Sequence, residues 1–239
     1  MKIEGVKALI FDLGGTLYRP VTDMCGLSRE FLTDLGIGEH SDSEILEATR
    51  GPDEWLENYM VENQVNLHWE PDYDVWIEYD RQLLSQFGIE DMEVVKGYQA
   101  KWEVFLEDSR AELIEGCKQG LEKLHERGFK LAVASNRFGD PSEFLREDSI
   151  LHLFDMVEYT NVPGYKKPSP YMLIRIAQQL GVNPKKCAYI GNIARYDVEA
   201  ATRAGMIPVL ITWVDPEEAD LVTTDTVIIE HIDDLLEIF

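Results

Sequence analysis

Ala8-Leu9-Ile10-Phe11-Asp12-Leu13-Gly14-Gly15-Thr16 joins an uninterrupted apolar run to an acid and a glycine-rich turn. Four apolar residues closed by turn formers read as a strand buried on both faces. The pattern recurs at 131–134, 156–159, 188–190, 208–211 and 227–229. Amphipathic helices stand between these runs. One carries Leu113, Cys117, Leu121 and Leu124 and stops at Gly128. Another opens on Asp140-Pro141-Ser142-Glu143, an N-cap acid, a proline at the first helical position and a further acid. A third opens on Ser169-Pro170 and ends at Gly181. Strands alternating with helices predict an α/β fold, a Rossmann-like parallel sheet flanked by helices with right-handed crossovers.

Residues 20–110 interrupt this alternation. Leu27, Phe31 and Leu35 share one helical face, as do Trp76, Tyr79, Leu83 and Phe87, and Val95, Tyr98, Trp102 and Phe105. Gly36-Ile37-Gly38, Gly51-Pro52 and Gly88 are read as the breaks between helices. The expected organisation is a core of residues 1–19 and 111–239 and an inserted all-helical domain over 20–110. That insertion holds 22 acidic and 6 basic side chains, so it carries −16 of the chain's formal −23. Such a surface argues against nucleic acid and anionic membranes as partners. No window is long and apolar enough to span a membrane, and Met1 to Val6 lead directly into the first strand, which predicts no signal peptide. Cys25, Cys117 and Cys187 are far apart in sequence and form no CxxC pair, which suits free thiols and a cytoplasmic location.

In an open α/β sheet, ligands bind beyond the carboxyl ends of the strands. Asp12 to Thr16 follow the first apolar run and Ser135-Asn136-Arg137 the second. A loop after the third leads to Lys166-Lys167-Pro168, and Gly191-Asn192 with Asp197 follow the fourth. Acids, a hydroxyl, an amide and lysines gathered at one crevice suit an anionic, phosphorylated group.

The ordered set resembles the four motifs of the haloacid dehalogenase-like hydrolases. Leu9-Ile10-Phe11-Asp12-Leu13-Gly14-Gly15-Thr16-Leu17 is similar to the first and Val133-Ala134-Ser135-Asn136 to the second. Lys167-Pro168-Ser169-Pro170 is similar to the third. Tyr189-Ile190-Gly191-Asn192 with Asp197, Ala200 and Ala204-Gly205-Met206 is similar to the fourth. The resemblance covers the core, while the helical insertion corresponds to the family's cap by position only. It implies a nucleophilic Asp12 that becomes an aspartyl-phosphate, with Ser135 and Lys167 holding the transferring oxygens. Lys167 is preferred to Lys166 because the family lysine directly precedes proline. The resemblance also implies Mg2+ held by Asp12, the backbone carbonyl of Gly14, Asn192 and Asp197. Gly15, Thr16, Asn136 and Arg137, with Tyr18 and Arg19 at the hinge into the insertion, are the expected contacts to a small phosphorylated substrate.

Two positions depart from the pattern. Gly14 replaces the usual second aspartate, which serves as general acid and then base. Asn192 replaces a metal-binding aspartate. The expectation is a magnesium-dependent phosphatase, slow on poor leaving groups and with a weakened metal site. One alternative is a catalytically weakened binding or regulatory protein. Another is a metal-independent 2-haloacid dehalogenase, which Gly14 disfavours because that branch carries tyrosine there. The aromatic residues of the insertion, among them Trp55, Tyr59, Trp69, Tyr73 and Trp76, are expected to fill a bundle interior.

Overall fold

A computed structural model of the chain describes residues 2–20, 24–108 and 111–239. Six strands form one sheet: β1 (Ala8–Phe11), β2 (Lys130–Ser135), β3 (Met156–Tyr159), β4 (Cys187–Gly191), β5 (Ile207–Ile211) and β6 (Val227–Ile229). Their order is β3-β2-β1-β4-β5-β6, and every pairing is parallel. β1 lies at the centre, with Phe11 in register with Val133 on one side and Ile190 on the other. All four β1 side chains are fully buried, as a strand covered on both faces requires.

Ala8, Ile10, Ala132, Ala134 and Tyr189 pack with Met172, Leu173 and Ile176 and with Ala200, Ala201 and Ala204 in one continuous core. The strand order reverses between β1 and β4, which is where an open sheet forms its ligand crevice. The helix expected to include Leu113 begins later, at Cys117. Leu113 instead bridges the backbone of Tyr18, because that stretch is drawn into extended pairing before the chain turns.

The chain divides into two compact units, Met1–Pro20 with Glu112–Phe239, and Val21–Ala111. The expected boundaries fall at 19/20 and 110/111; the neighbouring residues 21–23 and 109–110 lie outside the described residues. The second unit contains α1 (Met24–Asp34), α2 (Asp42–Glu62), α3 (Tyr73–Ser85) and α4 (Met92–Asp108). Phe31, Leu32, Ile45, Ala48, Leu83, Leu84, Val95 and Tyr98 form its interior, with Trp102 set edge-on to Phe31 at 5.0 Å. Ser41 and Glu44 close a capping box at the start of α2. Gly51-Pro52 does not break this helix, contrary to the sequence expectation. Ile45, Ala48, Pro52, Leu56 and Met60 form one buried stripe at spacings of three and four, and its burial outweighs the lost backbone donor.

Candidate active site

Asp12 sits one residue beyond β1, its backbone still held by an N–H to the Ile190 carbonyl at 2.9 Å. The chain then folds tightly: the amides of Thr16, Leu17 and Tyr18 all donate to the Leu13 carbonyl. Gly15 has φ +75, and a Cβ there would overlap the Asn192 side chain. Both facts require glycine. A Cβ at Gly191 would likewise overlap the Asp197 carboxylate, so glycine lets that side chain fold back across the end of β4.

Lys167 joins the elements. Its Nζ donates to Asp12 Oδ1 at 2.8 Å, Asp197 Oδ1 at 2.7 Å and the Tyr189 hydroxyl at 2.7 Å. These contacts use all three protons of the ammonium. The Tyr189 hydroxyl in turn donates to the Ala134 carbonyl at 2.9 Å. Asn136 clamps the lysine backbone, accepting from its N–H at 2.7 Å and donating to its carbonyl at 2.9 Å. Lys167 therefore contacts Asp12 directly and offsets its charge, at the place where the resemblance implies contact with transferring oxygens.

Burial raises the pKa of Asp12 against the lowering influence of Lys167, with Asp197 adding to the rise. Burial works against the charge of Lys167, but Asp12 and Asp197 outweigh it and hold its pKa above the ordinary value. Desolvation and the neighbouring carboxylates keep the Tyr189 phenol protonated. Two carboxylates around one buried ammonium make the lysine essential to the local balance. Lys167→Met is expected to destabilise the fold by about 3–5 kcal/mol. The loss should shrink as pH falls, because burial already favours the protonated form of Asp12. Denaturant melts across pH check this, and an unchanged midpoint at neutral pH would refute the pairing.

Asp12, Gly14, Ser135, Asn136, Asn161, Lys166, Lys167, Ile193, Tyr196 and Asp197 line a cavity of about 380 Å³. The structure thus brings Asp12, Gly14, Ser135, Asn136, Lys167 and Asp197 to one place. Other expected contacts lie elsewhere. Tyr18 is buried, donates to Asp148 Oδ2 at 2.9 Å and meets Phe144 edge-on, because its ring fills core space. Arg137 turns toward the Phe138 carbonyl and lies over the Phe144 ring at 4.8 Å. Arg19 pairs with Glu112 and lines a different hollow with Trp213 and His231. Gly15 and Thr16 shape the loop from behind the cavity: the Gly15 carbonyl accepts from Trp213 Nε1, and the Thr16 hydroxyl donates to Asn192.

The expected metal ligands fare unequally. Asn192 packs on Gly15, and its Oδ1 accepts from Thr16 Oγ1 at 3.3 Å, so its side chain does not line the cavity. Both Asp197 oxygens are engaged, one by Lys167 and the other by the Ile193 N–H at 2.9 Å. Among the described residues no group of three or more His, Cys, Asp or Glu is gathered to hold a metal. The remaining donors at the cavity, the Asp12 carboxylate and the Gly14 backbone, are hard oxygens. They suit Mg2+ in kind but in small number.

Tyr189 and Asn161 were missed in the sequence. Tyr189 carried a usable signal, since a phenol inside a fully buried strand needs a polar partner. Asn161 carried none beyond its nearness to the end of β3.

Residues 6–205 match the family described as haloacid dehalogenase-like hydrolase. Over 211 residues the chain is 26% identical to a phosphoglycolate phosphatase of Aquifex aeolicus, covering 87% of this chain and 85% of the relative. It is 39% identical over 92 residues to a glyceraldehyde 3-phosphate phosphatase of Methanopyrus kandleri, covering 38% and 40% of the two chains. The fold matches a crystal structure described as a predicted phosphoglycolate phosphatase from Haemophilus somnus 129pt. That match has a TM-score of 0.66 and 21% identity over 98% of each chain.

Proposed function

The chain belongs to the haloacid dehalogenase-like hydrolases, and we propose that it is a phosphatase of small phosphorylated metabolites acting through Asp12. The observation that carries this reading is Asp12 at the wall of a polar cavity, oriented by Lys167 and accompanied by Ser135, Asn136 and Lys166. The phosphatase names of relatives sharing most or part of the chain support it.

In this reading an Asp12 oxygen attacks phosphorus, the bond to the ester oxygen breaks, and water later cleaves the aspartyl-phosphate. Ser135 and the backbone beyond Asp12 orient the phosphoryl oxygens, while Lys167 aims Asp12 and favours its ionised form against burial. Asp12 and the Gly14 carbonyl would hold Mg2+. There it would supply positive charge to offset that of the phosphoryl group. Gly14 offers no proton to the leaving group, so the leaving oxygen must be a weak base or take its proton from solvent or substrate. We read residues 20–110 as the cap that selects substrate. In the dehalogenase alternative, Asp12 would attack carbon and release halide.

A panel of acetyl phosphate, phosphoglycolate, glyceraldehyde 3-phosphate and a chlorinated short-chain acid, each with Mg2+ or a chelator, tests the reading. Acetyl phosphate should turn over fastest, by on the order of 10²-fold over simple alkyl phosphates, the lower scale of lost general acid help. Phosphate release should depend on Mg2+. Metal-independent halide release would reassign the chemistry, and no turnover on any phosphate would leave a binding role for the fold.

A further inference from the structure

Within the helical unit, Asp80 is a buried acid without an adequate partner. It lies on α3, is 3% exposed, and its Oδ2 has no hydrogen-bond partner. It lines a cavity of about 360 Å³ whose walls are otherwise predominantly apolar and aromatic, with Trp76, Tyr79, Leu83, Tyr98 and Trp102 prominent. A carboxyl left unpaired in such surroundings is costly, and a packed apolar side chain would serve the bundle better. The volume falls within the range of small-molecule sites.

The surroundings favour one kind of occupant. Aromatic faces attract cations, most strongly when desolvated. The unit's excess of 16 acidic over basic residues raises the local concentration of cations and repels anions. Burial pushes the Asp80 carboxyl up to about 8, so it rests largely protonated at neutral pH, and a neighbouring cation would restore its charge.

We infer that this cavity is a binding site for an organic ammonium ion with an apolar body, its cation seated against Asp80 among the aromatic rings. The site is lined entirely by residues of the helical unit and does not rest on the phosphatase reading.

Titration of the full chain with phenethylammonium, phenethyl alcohol and hydrocinnamate tests it, followed by calorimetry and by the fluorescence of Trp76 and Trp102. The ammonium should bind about tenfold or more tightly than the isosteric alcohol, and the carboxylate should bind least. Asp80→Asn should abolish the preference for the cation while keeping the parent circular dichroism. Thr49→Trp, which narrows the cavity and leaves Asp80 intact, should weaken all binding. Equal affinity for ammonium and alcohol would overturn the inference. So would a cation preference that survives in Asp80→Asn, since that would place the cation on the acidic exterior.

Discussion

The Asp12→Asn protein is expected to fold as the parent does and to lose phosphate turnover by on the order of 10³-fold or more, the scale on which removal of a covalent nucleophile acts. The amide keeps the shape of the side chain and removes the attacking charge. Stability should hold or rise at neutral pH. Burial raises the folded pKa of Asp12 above its ordinary value. A raised carboxyl contributes stability below its unfolded pKa and loses that contribution as pH climbs through the folded value. Replacing it with a neutral amide removes this loss, and Lys167 keeps Asp197 as a partner. Steady-state assays beside thermal melts separate the two effects. Retained turnover in a folded Asp12→Asn protein would sink the nucleophile assignment.

Gly14→Asp is expected to raise turnover of alkyl phosphates by roughly 10²-fold, within the range of general acid–base help. The structure leaves room for it. A Cβ on Gly14 meets nothing within 4 Å, its φ lies outside the left-handed region, and the residue lines the cavity beside Asp12. The gain should be far smaller on acetyl phosphate, whose leaving group needs no proton, so the ratio between the two substrates is the informative quantity. Adding Asn192→Asp should act on Mg2+ half-saturation, through one more negative charge in the loop. A folded Gly14→Asp protein with an unchanged substrate ratio would mean that position 14 does not face the leaving group.

Much of this site was legible because its signals are local. Most strands are largely apolar runs, three of the four motifs follow a run directly, and Gly15 and Gly191 stand where backbone and side chain must approach closely. Lys167 could be told from Lys166 only through the family resemblance, yet its three contacts give a physical reason: it is the lysine buried among the acids. Tyr18, Arg19 and Arg137 lie near the motifs in sequence. Their side chains follow the nearest partner or free volume, and for Tyr18 that was the core beside Phe144 and Asp148.

By itself the sequence determined the class of fold, the kinds of elements and the order in which polar residues leave the strand ends, since period and turn chemistry act between near neighbours. Only the tertiary structure decided which side chains meet. It alone brought Tyr189 onto Lys167, packed Asn192 onto Gly15, carried α2 through Pro52, and left Asp80 with an unpaired oxygen among aromatic rings. Those outcomes depend on packing between residues distant in the chain, where burial and the satisfaction of polar groups outweigh local preference.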